Sequence, residues 1–199
     1  MPFSTARQNA AVDAVTGGIS HLALLDESLT ELSGGSYARN AVAWDAAASA
    51  VGDNTDAEVF NVPAGATVAF VGFETTLASG DGKTAGWWPV GGQALQVGVV
   101  EADDDTVTSK AHGLTDGQRV VVMDITGGGL PTGLTEGTVY YVRDAATDTF
   151  KVETSIGGGA VAISADGEVF FTRCIPESFA SAGTYTIAAG DLDINGNLV

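Results

Sequence analysis

Few side chains in this 199-residue chain have types and spacings that could do chemistry. The two histidines, His21 and His112, could in principle act as bases or metal ligands. His21 falls inside an apolar run that reads as a strand, and His112 stands before Gly113 at a strand end, so packing and turn roles are expected for both. Cys174 is the sole cysteine and can form no disulfide within the chain. It has no neighbouring base in sequence and lies beside Ile175, which points to a buried, inert thiol. The run from Asp191 through Asp193 and Asn195 to Gly196 matches the opening of a calcium loop, where alternate oxygen ligands precede a glycine turn. The glutamate that closes such a loop is absent, and the same residues fit the wet face of a strand followed by an Asn-Gly turn, so no metal site is assigned. Glu101, Asp103, Asp104 and Asp105 read as a solvated turn.

Trp87 and Trp88 are the remaining candidates, as a glycan or interface pair. An exposed indole stacks on sugar rings, but neighbours along a strand point to opposite faces, so at most one of the two is expected in solvent. The competing and preferred reading is a hydrophobic join between two parts of the chain. Acidic residues are scattered over every predicted loop, and no pair stands out as the two carboxylates that glycoside hydrolysis needs. No catalytic residue and no cofactor site are assigned, and the chain is expected not to be an enzyme.

The elements that would position these residues are mostly strands. Gly 27, abundant Val, Thr and Ala, and only 17% charged residues give an all-β composition. The formal charge of −17 repels phosphates, and with no basic cluster to offset it, nucleic acid is excluded as a partner. No apolar run approaches the ~20 residues that span a bilayer, and residues 1–15 lack a secretion leader, so the expectation is a soluble chain made in the cytoplasm, without membrane insertion.

In chain order, residues 4–15 form the one convincing helix, with Ser4 or Thr5 as N-cap and Gly17-Gly18 as the stop. A strand over 19–25 follows, then a polar connection. Residues 38–45 alternate, with Ala38, Asn40, Val42 and Trp44 on one face, and read as the organising strand. Strands over 57–62 and 67–76 flank a Pro63-Ala64-Gly65 reversal, and 67–76 is apolar on both faces. Near Gln96 the texture changes to short strands at 106–110, 118–125, 138–143, 149–153, 160–164 and 168–173, separated by glycine-rich turns. This suits a small barrel over 96–174, inserted in a host domain of 1–95 and 175–199. Within 183–199, Tyr185, Ile187, Leu192 and Ile194 alternate with polar residues as a strand pair with one wet face.

The segments SGGSYARNAVAWDAA and VFNVPAGATVAFVGFET resemble a family of bacteriophage virion proteins known as minor tail or tail fibre proteins. In that family a stretch like ESFASAGTYTIAAGDLDI follows soon after one like FVGFETTLASGDGKTAGWWPV, which marks the intervening residues here as an insertion. The insertion, with its HGL, YYV and DTF landmarks, is similar to a module recurrent in phage tail and baseplate proteins. That module resembles a small β-barrel insertion domain of ubiquitin-activating enzymes, a likeness of fold that carries no activity.

The resemblance implies an antiparallel β-sandwich, jelly-roll-like, with an inserted small β-barrel and a short N-terminal helix. It implies a virion structural protein, a minor tail, tail fibre or tail tip component acting in particle assembly or host attachment. The alternatives are a capsid decoration protein, a glycan-binding adhesin module and, last, a hydrolase. The expected location is the virion. Expected partners are other virion proteins, a host-surface glycan and further copies of the chain. A trimer held by the host domain is favoured, because the two apolar faces of 67–76 and the Trp87-Trp88-Pro89 end offer surface for symmetric contacts.

Overall fold

The computed structural model describes residues 4–78 and 80–195. They form two compact units, the first of residues 4–26, 30–78, 80–88 and 177–195, the second of Glu27–Leu29 and Pro89–Pro176. Among the described residues the fold is all-β, with antiparallel strand pairs and one helix.

In the first unit, α1 (Thr5–Thr16) starts at Ser4, whose carbonyl accepts from the amides of Arg7 and Gln8 at 2.8 and 3.1 Å. The Ser4 side chain makes no cap bond, so so short a helix relies on docking. Val12 and Thr16 are its buried residues, and they come down on β3 (Val51–Asp53). The approach is close at Gly52, where any Cβ would lie 2.9 Å from Val12 Cγ1. Asn9 and Asp13 then accept the amides of Ala50 and Ala47, both at 2.7 Å, which stitches the helix to the segment before β3.

β1 (His21–Leu25) lies in a four-stranded sheet of order β2-β1-β6-β7, with β2 at Asn40–Ala41, β6 at Phe70–Glu74 and β7 at Gly86–Pro89. β4 (Glu58–Val62) alternates buried and exposed residues, while β6 is buried at every position. The expected strand over 67–76 is interrupted at Ala69, whose amide turns to the Leu25 carbonyl at 2.9 Å, leaving β5 (Thr67–Val68) as a separate piece. Both faces of β6 are covered by this chain itself, so they leave no apolar surplus for symmetric copies. The expected organising strand over 38–45 is reduced to β2 and a bridge between Trp44 and Asn54. The alternation survives, with residues 40, 42 and 44 half-buried and 41, 43 and 45 exposed, but most of this segment lacks a ladder partner.

The second unit is a closed barrel of order β10-β11-β12-β9-β8-β13. Its strands are β8 (Gln96–Glu101), β9 (Thr106–Thr108), β10 (Arg119–Met123), β11 (Val139–Arg143), β12 (Thr149–Glu153) and β13 (Gly167–Arg173). The period-2 pattern sends Val100, Val107, Val120, Val122, Tyr140, Val142, Phe150, Val152, Val169 and Phe171 into one core. Residues 160–164, expected as a strand, are not one. Ile163 is buried in the core while its amide goes to Asp105 Oδ1 at 2.6 Å, so it joins no ladder, and β8 is the sixth strand.

The chain then returns to the first unit and lays down three strands in reverse order. β14 (Glu177–Ser178) pairs with β5, β15 (Gly183–Ile187) with β4, and β16 (Asp193–Asn195) with β3. In β15, Tyr185 and Ile187 are the more buried residues and Thr184 and Thr186 are exposed, as the alternation predicts. Where the chain enters and leaves the barrel, the Ile175 amide donates to the Val90 carbonyl at 2.7 Å. Replacing residues 90–175 by a short Gly-Ser linker is therefore expected to leave a first unit that unfolds in one cooperative transition, followed by circular dichroism. An aggregated or unfolded product would contradict it.

Candidate functional site

The polar centre of the first unit is built around Arg39. Its Nε donates to Glu31 Oε1 at 2.8 Å and its Nη2 to Glu31 Oε2 at 2.6 Å, the two-pronged geometry that matches guanidinium to carboxylate. Nη2 also lies 3.5 Å from Glu74 Oε1, and the guanidinium donates to the carbonyls of Thr76 and Gly80 at 3.1 and 3.3 Å. The Arg39 side chain is 7% exposed and that of Glu74 is 0% exposed. Arg39 is therefore turned inward by charge, at a place where alternation alone would put it outside.

Glu74 ends β6, and its Oε1 accepts from the Thr84 hydroxyl and amide at 3.1 and 3.3 Å. Its Oε2 is buried and has no partner. Gly80, at φ 99°, passes directly over it, and a Cβ there would lie 2.7 Å from both carboxylate oxygens. Tyr37 closes the other side: its hydroxyl donates to Glu31 Oε1 at 3.3 Å and accepts the Leu24 amide at 2.8 Å. Burial, and then the Glu31 carboxylate, push the Tyr37 phenol well above its ordinary pKa, against the lowering effect of the Leu24 bond. Hydrogen bonding to Glu31 likewise raises Arg39, so the guanidinium keeps its charge.

Over this cluster lies an open cleft of about 730 Å³ lined by Gly80, Asp81, Lys83, Thr84, Gly86 and Trp87. Trp87 is half-buried and stands edge-on to Phe70, with ring centroids 5.2 Å apart. Trp88 is half-buried as well, so neither indole of the pair is fully in solvent. Lys83 Nζ donates to Asp81 Oδ2 at 2.9 Å, which lowers the pKa of that carboxyl. An aromatic edge beside a lysine, a carboxylate and a hydroxyl can hold a polar ligand. Acid–base chemistry is another matter, since Glu74 is sealed from solvent and Glu31 is tied to Arg39.

The other candidates lie apart. His21 is in β1 with Nδ1 2.9 Å from Ser20 Oγ. His112 is buried in the second unit, its Nδ1 accepting the Leu114 amide at 3.0 Å and its Nε2 3.2 Å from the Thr149 carbonyl, with the ring tilted on Phe150. Both ring nitrogens are occupied by backbone, which is a turn-holding role. Cys174 is buried, and burial pushes its thiol up to about 12. In the acidic turn, Asp105 holds the Ile163 amide and the Asp104 carbonyl accepts from Lys151 Nζ. Asp191 caps its own turn by accepting the Ala188 amide at 3.2 Å, Asp193 is in β16, and Gly196 lies outside the described residues. Among the described residues, no three His, Cys, Asp or Glu side chains gather as a metal site, and no helix is long and apolar enough to cross a membrane.

Sequence reasoning missed the Arg39 cluster and Asn54. The available signal for the first was a glutamate at the end of a strand apolar on both faces. Asn54 is 1% exposed, donates to the carbonyls of Asp56 and Ala188 at 2.8 and 2.9 Å, and accepts the Leu192 amide at 3.0 Å. No protein-family model matches the chain, and no curated protein matches it.

Removing Arg39 strands Glu74 under the Gly80 turn. Arg39→Met is expected to lower unfolding free energy by about 3–5 kcal/mol, the range for breaking one side of a buried pair. Chemical denaturation measures it, with Lys83→Met, on the more exposed Asp81 pair, as a control that leaves the midpoint unchanged.

Proposed function

We propose that the chain is a non-enzymatic structural component of a bacteriophage virion, of the minor tail, tail fibre or tail tip kind, acting in particle assembly or host attachment. The observation that carries this reading is a closed barrel placed in sequence between two stretches of an all-β unit. The bond from the Ile175 amide to the Val90 carbonyl brings the two ends of that intervening segment together. That organisation suits the resemblance of the host segments and of the inserted segment to two kinds of phage tail sequence. The polar residues of the host support it too, since they tie loops together and leave no exposed reacting group at the Arg39 cluster.

In this reading the partners are other virion proteins and further copies of the chain, and the expected trimer needs contacts other than the covered faces of β6. Val97 and Val99, 46% and 52% exposed, stand together on the outer wall of β8 and offer an apolar contact on the barrel. Antibodies against the purified chain should decorate intact virions in negative-stain images, at the tail. Label confined to the head would favour a capsid decoration protein, and unlabelled particles would overturn the virion reading.

The Trp87 cleft favours a second reading, a glycan-binding adhesin module. The half-buried Trp87 indole, flanked in the cleft by Asp81, Lys83 and Thr84, offers an aromatic ring and hydrogen-bonding groups to a sugar. A saturable signal on a glycan array, lost in Trp87→Ala with the melting temperature retained, is the expected outcome. Binding unchanged in that variant, or none at all, would remove this reading and leave the structural one standing.

A further inference from the structure

The last ladder of the first unit sets two carboxylates face to face. Asp53 and Asp193 are direct partners across the antiparallel pair of β3 and β16, so their side chains share one face. Asp53 is half-buried and Asp193 exposed, and Asp53 Oδ1 is itself buried with no donor in contact. Two ionised carboxylates set opposite each other repel, whereas one shared proton turns the pair into a hydrogen bond.

Among the described residues, no cation compensates the pair. Helix α1 carries Arg7 and Asp13, but it meets β3 on the Gly52 face, opposite the Asp53 side chain, and Asp13 is engaged by the Ala47 amide. The segments flanking β3 contribute Asp45, whose amide donates to the Asp53 carbonyl, and Asp56, which receives the Thr55 hydroxyl. The turn before β16 contributes Asp191, which holds the Ala188 amide. Among all these charges, Asp193 alone acts on the Asp53 carboxyl.

We propose that Asp53 and Asp193 form an acid-closed clasp, which fastens β16 to β3 while the pair holds a proton and releases the strand when both carboxylates are ionised. The preceding turn stays in place at either pH, because Asn54 holds the Leu192 amide and the Ala188 carbonyl through a side chain that does not titrate. Release is thus confined to the strand beyond the turn. The sign follows from linkage. The bond to Asp193, then burial, raise the Asp53 pKa above its unfolded value. The contribution is therefore complete in acid, below the ordinary aspartate pKa, and disappears as pH rises through the raised one.

The test is hydrogen exchange of the β3 and β16 amides in the full chain between about pH 4 and pH 7, corrected for intrinsic rates, with side-chain carboxyl titration by NMR. Protection in β16 is expected to be roughly tenfold higher at the acid end for each pH unit by which Asp53 is raised. Asp53 should titrate above the ordinary aspartate range. In Asp193→Asn the amide donates to Asp53 at every pH, so protection should become independent of pH and the upward displacement of Asp53 should vanish. An ordinary Asp53 titration in the wild-type chain would overturn the clasp, as would equal protection at both ends of the range. Recovery of neutral-pH protection on adding calcium would also overturn it, because a cation rather than a proton would then close the pair.

Discussion

A guanidinium placed between two carboxylates away from water must have its donors satisfied by protein, and Arg39 meets this demand with Glu31, Glu74 and two backbone carbonyls. The partners come from two separate stretches of chain. Glu31 belongs to the connection after β1, Glu74 ends the most deeply buried strand, and the carbonyls belong to the loop that follows it. None of these connections has much regular structure of its own, so the charge cluster defines their path. Replacing such a cluster by apolar residues often leaves stability unchanged or higher, so its contribution here is better described as fixing one loop arrangement. The packing follows that arrangement. A Cβ at Gly72 would overlap the Gly82 carbonyl, and one at Gly82 would crowd Leu25 and Glu31, so the loop lies directly on the sheet.

The two units solve the problem of burial differently. In the barrel, alternation along six strands closed on themselves supplies one continuous core, and its polar groups, His112 and Asp105 among them, fasten the turns and loops around it. The first unit depends on pairings between residues far apart in sequence. Thr67 meets Ser178 across 111 residues, and Asn54 meets Leu192 across 138. Its ladders beyond the four-stranded sheet contain two strands each, which are marginal alone and gain stability from what packs on them.

This contrast explains what could be read from the sequence. The helix over 4–15 and the barrel strands at 118–125, 138–143, 149–153 and 168–173 were legible, because local periodicity and turn residues determine them. The inert Cys174 and the turn-holding His112 were legible from their neighbours. Residues 38–45 have the alternation of a strand, but alternation specifies which side is buried and says nothing about whether a partner strand lies alongside. Residues 160–164 failed for a related reason, since Asp105 takes an amide that a ladder would need. The Arg39 cluster, the Asn54 anchor and the Asp53–Asp193 pair were out of reach of spacing arguments. Each joins residues whose nearness is a product of the tertiary fold.

The nested pairing of β14, β15 and β16 with β5, β4 and β3 has a consequence for the order of events during synthesis. Every barrel strand leaves the ribosome before the segment that completes the host does. The barrel can therefore assemble from contacts already available, while β3, β4 and β5 wait with unpaired edges. In that interval the nascent host is exposed to strand capture by another chain, and an early-folding insert brings Val90 and Ile175 together, shortening the loop the returning segment must close. The inserted barrel thus acts as a spatial staple for the protein that carries it.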